Sequence, residues 1–400
     1  MSDAKFSFEE NDAETLTPVD MIARAHSLTP VLRERAEQAQ HLGFAPPETV
    51  ADFHRLGLLR ISQPKRYGGN EMGWDVLCEI SQILAEADCS QAWFQRITAD
   101  HAQMVATFPE EAQEEVWHDN PQAVICAGLD PVGQARRVPG GFRFSGQHGF
   151  SSGVDYAEWL ICGGYIVNGE TREGPHFFLL KRSDVTVLDD WDTIGLEGTG
   201  SKSFVVSEAF VPNYRLLDGA KARTGQGPGV EINTAPVYRT PRGGSSGIPS
   251  TGFAALVVGT AKGVLKEWLR YTTPRLSRGV VLADDPGTHM VAARSSAEID
   301  AAEAMYSGTV SHAMRTLEAG EPLTDFELTT ARRDVSFATE LALNAGTRLF
   351  NAAGGRALAK GSALERQYRN LIAAASHHVL NWDRNALIYG QKLLTQNRSI

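Results

Sequence analysis

The stretch "GLEGTGSKSF" (Gly195–Phe204) carries the decision about the fold. Gly195 and Gly200 bracket a four-residue gap and a lysine follows, which comes close to the G-x-x-x-x-G-K-[ST] loop that cradles phosphates. Ser201, however, stands between Gly200 and Lys202 and changes the lysine's direction. "SFVVSEAFVP" then alternates apolar and polar residues as a strand does, so no helix N-terminus follows to receive an anion. The stretch reads as a tight glycine turn between strands, with Thr199, Ser201 and Ser203 as small hydroxyl donors. "TGQGPG" (Thr224–Gly229) lacks G-x-G-x-x-G spacing and no βαβ unit surrounds it. The chain therefore shows neither a triphosphate loop nor the usual dinucleotide fingerprint.

Outward from the turn, residues from Gln122 to about Tyr214 form short runs rich in Val, Ile, Phe and Tyr, separated by "PGG", "NGETREG" and "DDWDTIG". That texture predicts an antiparallel β region, with strands over "QAVICAGL", "GGFRFSGQHGF", "AEWLICGGYIV", "HFFLLKRSDVTVL" and "SFVVSEAFV". Before it the chain reads as helices. One opens on a Thr17 cap with Pro18 and closes on Gly43, a short one follows, and two more are broken near Asp88. After a Gly/Pro/Arg-rich loop, four amphipathic segments at about 251–272, 285–319, 325–353 and 362–395 predict an antiparallel bundle. The expected fold class is α+β, mostly α. It comprises an N-terminal helical domain (1–121), a central antiparallel β-barrel or sandwich (122–230) and a C-terminal four-helix bundle (231–400).

Composition narrows the function classes. The 400 residues are 42% hydrophobic and 22% charged with a net charge of −10, which argues against nucleic acid or an anionic membrane as partner. "MSDAKFSFEENDAETL" is acidic and polar without the apolar core of a signal peptide, and no stretch approaches a bilayer span. Cys78, Cys89, Cys126 and Cys162 show no metal-ligand spacing, so a cytoplasmic protein with reduced thiols and no metal is expected.

Several blocks in order resemble the acyl-CoA dehydrogenase superfamily: "PKRYGGNEMGWDVLCEISQILAEAD" (Pro64–Asp88) and "DTIGLEGTGSKSFVVSEAFVPNYRLL". "GGFRFSGQHGFSSGVDYAEWLICGG" (Gly140–Gly164) and "GGRALAKGSALERQYRNLIAAASHHVLNWD" (Gly354–Asp383) are similar to its flavin-dependent, two-component aromatic hydroxylase branch. The resemblance implies an oxygenase component that uses reduced flavin (FADH2 or FMNH2) and O2. A separate NAD(P)H:flavin reductase would supply the flavin, consistent with the missing dinucleotide fold. It further implies a small aromatic or polyketide-like substrate hydroxylated through a C4a-hydroperoxyflavin, and a homo-oligomer, a tetramer before a dimer.

The dehydrogenases of this fold need a carboxylate base, yet His377 and His378 stand where the glutamate beyond Arg369 would fall, and "STGFAALVVG" offers no acid either. An imidazole suits the deprotonation of a phenol. The resemblance makes His377 the catalytic base, with His378 as the alternative beside the substrate. It puts Ser152 at the flavin N5 edge, with Ser151, Thr199 and Ser201 around the cofactor. His101 and Ala127 would line the substrate pocket, His101 with a catalytic part. Arg275 would meet a flavin pyrophosphate of a neighbouring subunit, where Gly354 and Gly355 permit close approach. Three departures stand out: Ala127–Gly128 where phenol hydroxylases carry a serine, Asn370 after Arg369, and His148 in place of an aromatic. They leave open a bulkier polycyclic substrate, N- or S-oxygenation, an acyl-CoA dehydrogenase, or a catalytically silent scaffold.

Overall fold

The computed structural model describes residues 16–242, 247–277 and 279–396. Helix α1 (Pro18–Leu42) starts at a reciprocal cap: Thr17 Oγ1 accepts from the Asp20 N–H while the Asp20 carboxylate accepts from the Thr17 N–H. It stops at Gly43, whose φ of +73° is left-handed. After α2 (Pro47–Arg55), helices α3 (Trp74–Ala87) and α4 (Cys89–Val105) are divided by Asp88. Its extended backbone ends α3, and its carboxylate accepts from the Gln91 N–H at 2.9 Å to begin α4. A further helix, α5 (Glu110–Trp117), leads to the sheet.

Strands β1 (Ile125–Val138), β2 (Gly141–Ser151), β3 (Trp159–Asn168), β4 (Thr171–Lys181), β5 (Val185–Val187), β6 (Lys202–Pro212) and β7 (Leu216–Leu217) form one sheet in the order β5-β6-β2-β1-β3-β4-β7. The sheet is mixed, which corrects the antiparallel expectation: β1 and β3 run parallel, pairing Ile125 with Trp159 and Ala127 with Ile161. The hairpin partner β2 takes one edge of β1, so the returning chain can only fill the other edge, in the same direction as β1. The run "HFFLLKRSDVTVL" is likewise two strands, split by a turn at Arg182–Asp184 that carries β5 across to β6.

Beyond the short α6 (Gly219–Arg223) come α7 (Ile248–Thr272), a small hairpin of β8 (Leu276–Ser277) and β9 (Val280–Val281), α8 (Pro286–Glu318) and α9 (Asp325–Ala353). Helix α7 is long and apolar enough to cross a membrane by length and composition, yet 78% of its apolar window is buried inside the fold, as in a core helix. The fourth segment breaks into α10 (Ala363–Ala375) and α11 (Trp382–Gln396) around a tight turn at His378–Leu380. Asn381 explains the break: its side chain accepts from the Arg384 N–H at 2.9 Å and caps α11.

The centre of the arrangement is α4, buried along its whole length. It packs on β1, on the turn at Glu197–Thr199, on α7 and on α10, so one helix touches every region of the molecule.

Candidate active site

The glycine turn is anchored from two sides. A Cβ at Gly195 would lie 2.3 Å from the Arg369 carbonyl oxygen, so only glycine lets the turn meet α10. Next to it, the Leu196 N–H donates to Asn370 Oδ1 at 2.8 Å. Lys202 is spent on Asp155 and Asp189, 3.1 Å from each, which removes it from any phosphate. Within this frame the hydroxyls form a chain. The Trp93 indole N–H donates to Ser152 Oγ at 3.0 Å, Ser152 and Ser201 share a bond of 2.8 Å, and Ser201 and Thr199 share one of 2.6 Å. Thr199 ends the chain by donating to the Leu196 carbonyl at 2.8 Å.

The histidines flank the same helix, α4. His377 is half-buried in the turn between α10 and α11, its ring stacked on Phe253 of α7 at 4.1 Å and 5.7 Å from the Trp93 ring. His378 is exposed and stacks on His377 at 4.8 Å. Neither lies in α10 or α11; both belong to the tight turn between them. His101, two turns beyond Trp93 on α4, donates from Nδ1 to the Ile125 carbonyl at 3.1 Å, because a carbonyl oxygen can only accept. Neutral His101 therefore keeps its lone pair on Nε2. At His377 the Val379 N–H donates to Nδ1 in a long contact of 3.5 Å, which leaves the proton on Nε2. Burial pushes His377 down to about 3, with help from His378 and Arg96, and His101 down to about 4, although Asp100 opposes that. Both rings are uncharged at neutral pH.

Trp93, Ile97, His101, Ala127, Ser152 and Ser201 keep 4–9% of their surface, whereas Ala92, Gln95, Arg96 and Ala99 on α4 keep none. Positions 93, 97 and 101 share one helical face. They lie where α4 meets β1, the glycine turn and α7. Asp100, Glu197 and Glu365 are committed to ion pairs. Asp100 meets Arg242 at 2.5 Å and Arg96 at 3.1 Å; burial works to raise its carboxyl, but the two guanidiniums hold it below the usual range. Glu197 and Glu365 both pair with Arg369. A surface groove of about 760 Å³ between α8 and α9, lined by Met305, Phe326 and His312 among others, shares no residue with this site.

Of the residues the sequence reading named, Ser152, Ser201 and Thr199 are joined in one hydroxyl chain, and Trp93 links that chain to His377; His101 lies two turns further along α4, bonded to β1, which also carries Ala127. Ser151 is fully buried with its Oγ unpartnered, outside the hydroxyl chain. Arg275 lies apart: it donates to the Ala353 carbonyl at 2.7 Å, beside the exposed Gly354 and Gly355. The reading passed over Trp93, Phe253 and Arg96. An Arg96/Asp100 pair at i,i+4 on α4 is the one signal that pointed to Arg96.

A reduced flavin fits these residues. With its protons passed along to the Leu196 carbonyl, the hydroxyl chain offers acceptor oxygens to an N–H of the reduced ring. Phe150 and Ile194, 78% and 71% exposed, and Trp191, which meets Phe150 edge-on, offer an apolar shelf on the same segments. Phe150 holds a positive φ of +55°, a strained backbone for a non-glycine residue. Fold and site together define a flavoenzyme on the acyl-CoA dehydrogenase scaffold: residues 22–120 match the acyl-CoA dehydrogenase N-terminal domain family and residues 251–382 the acyl-CoA dehydrogenase C-terminal domain family.

Within that scaffold the chain belongs to the oxygenase subunits of flavin-dependent monooxygenases. It is 33% identical to the flavin-dependent monooxygenase oxygenase subunit HsaA of Rhodococcus jostii (strain RHA1) over 92% of this chain and 96% of that one. It is 30% identical to the FADH(2)-dependent resorcinol hydroxylase oxygenase component of Rhizobium sp. (strain MTP-10005), over 96% of each. The crystal structure of 3-HSA hydroxylase from Rhodococcus sp. RHA1 superposes with a TM-score of 0.90 at 32% identity, over 94% of this chain and 97% of that one. The protein is an enzyme that uses reduced flavin to oxygenate its substrate.

Proposed function

We propose that this oxygenase hydroxylates a phenolic aromatic ring, with reduced flavin delivered by a separate NAD(P)H:flavin reductase. The observation that carries the reading is the opposed hydrogen bonding of two neutral imidazoles that flank α4: His101, where α4 meets β1, with its lone pair on Nε2, and His377, beside Trp93, with its proton on Nε2. Ser152, Ser201 and Thr199 would hold the flavin edge, and Phe150 and Ile194 its apolar face. When bound, the flavin supplies the activation of dioxygen. His101 accepts the phenol proton, and His377 donates a hydrogen bond to an oxygen that gains negative charge. This reverses the expected order, in which His377 was the base. An imidazole held near 4 is a weak base until the developing phenolate raises it through charge attraction. Trp93 fixes the Ser152 hydroxyl by donating to its oxygen, and the Ser152 proton goes to Ser201, because Ser201 donates to Thr199 and Thr199 to the Leu196 carbonyl.

Ala127, small and on the first strand, leaves room for a substrate wider than a single ring, which supports a substituted or fused phenol. FADH2 is the favoured cofactor, because Arg275 beside the exposed Gly354–Gly355 turn suits the pyrophosphate of a neighbouring subunit's flavin. That arrangement calls for a homo-oligomer, a tetramer first. Dehydrogenation is disfavoured because the carboxylates of the site are locked in ion pairs. The test supplies the protein with a generic reductase, NADH, FAD or FMN, and 18O2, over a panel of phenols from resorcinol to fused-ring phenols. The expected result is 18O in a hydroxylated product. No labelled product from any phenol, together with acyl-CoA-dependent dye reduction, would overturn the reading.

A further inference from the structure

Arg96 is a guanidinium sealed inside a wholly buried helix, with none of its surface exposed. Its Nη2 donates to the Pro249 carbonyl at 2.5 Å and its Nη1 lies 3.1 Å from Asp100, which Arg242 grips in turn. Gly252 makes the approach possible, since a Cβ there would lie 2.5 Å from Arg96 Nε. The guanidinium carbon stands 3.9 Å from the centre of the Phe253 ring. The His377 ring stands 4.1 Å from the same centre with the planes 20° apart. Two flat groups so close to one ring centre would overlap on a single face, so they occupy opposite faces of Phe253. Trp93, one turn before Arg96, packs on both Phe253 at 5.1 Å and His377 at 5.7 Å.

We propose that Arg96 is a positioning residue for the oxygenation: the guanidinium and the His377 imidazole clamp Phe253 between them, so a cation anchored on α4 sets the plane in which His377 faces the pocket. The other contacts of the His377 ring are longer: Trp93 at 5.7 Å, the exposed His378 at 4.8 Å, and a stretched hydrogen bond at Nδ1. A cation over an aromatic face is worth more when desolvated, as here. The charged or titratable groups around the imidazole are Arg96 and His378, and both disfavour a second positive charge at His377. The proposal rests on the role given to His377 above.

The experiment follows carbethoxylation of the flavin-free protein by diethyl pyrocarbonate, with fragment masses separating His377 from His378 on one tryptic peptide. In the unaltered protein His378 reacts fast and His377 slowly. Phe253→Leu removes the clamp yet leaves the Asp100 ion pairs intact, so the fold is kept. His377 is expected to react about 5-fold faster in it, a change of the size one cation–aromatic contact supports, with His378 unchanged. Arg96→Lys keeps the charge but not the flat stack, and is expected to fall between. Product formed per flavin oxidised should drop in both variants while flavin oxidation continues. Unaltered His377 reactivity in both variants sinks the proposal. If His377→Ala leaves product per flavin unchanged, the reading of the site fails instead, and the labelling result for the clamp stands by itself.

Discussion

Trp93 illustrates how much a single side chain decides. Its ring closes on His377 and Phe253 while its N–H reaches Ser152, so it couples the two halves of the site. Trp93→Phe keeps the ring and deletes only the donor; hydrogen peroxide released per flavin oxidised should rise about 5-fold, as the loss of one hydrogen bond near 1 kcal/mol implies. Ser152→Ala should do the same, and unchanged peroxide yield in both would remove the hydroxyl chain from the chemistry. His377→Ala should cut product per flavin oxidised without stopping flavin oxidation. The buried imidazoles also fix a pH profile. Because His101 is held near 4 and His377 near 3, both stay neutral far below the ordinary histidine range. The acid limb of kcat/KM, which reports the free enzyme, should therefore fall near pH 4. A limb centred on the usual histidine value would show these rings to be solvated. Of these residues the sequence named His377, His101 and Ser152 but not Trp93, because a tryptophan in a buried helix carries no mark that its N–H has a functional partner.

Among the elements, the glycine turn and α10 act as one unit. Gly195 sits against the Arg369 carbonyl and Leu196 is tied to Asn370, so the turn that presents Thr199 and Ser201 is held by the helix that leads to His377. Gly195→Ala should cost about 1–3 kcal/mol, as overpacking does, and should also lower coupling, since the hydroxyl chain shifts with the turn. Thermal unfolding and product yield check the two halves; a variant as stable and as coupled as the parent would show that the contact yields freely. Asn370 was legible only as a departure from an Arg-Asp pair. Its amide has a reason in the structure, an oxygen that accepts the Leu196 N–H without placing another charge beside Glu197 and Glu365. The ends of α1, α3 and α4 were readable from Thr17, Gly43 and Asp88, because capping is local. The break after α10 was missed although Asn381 stands at the cap of α11, because the apolar spacing continues through it.

For the whole molecule, the buried histidines make stability depend on pH. His101 and His148 are pushed down to about 4 by burial, whereas in the unfolded chain they titrate near 6.5. The unfolded state thus binds more protons between those values, and stability rises with pH across that window. Lowering the pH from 7 to 5 should cost on the order of 2 kcal/mol for each ring. Thermal unfolding at the two pH values measures it, and His148→Leu should shallow the dependence; a flat response to pH 5 would refute the burial of these groups. Local chemistry determined much of this protein: the helix–sheet–helix order, the rejection of a phosphate loop at Ser201, and the absence of a carboxylate base near the C-terminal histidines follow from neighbours a few residues apart. Only the tertiary structure decided the parallel pairing of β1 with β3, the stack of Arg96, Phe253 and His377, and which nitrogen of each imidazole holds its proton. The stack joins residues more than a hundred positions apart and the strand pairing and the His101–Ile125 bond join residues a few tens apart, while the His377–Val379 contact needs a turn that the apolar spacing hid; no local periodicity encodes the direction from which a distant ring or carbonyl arrives.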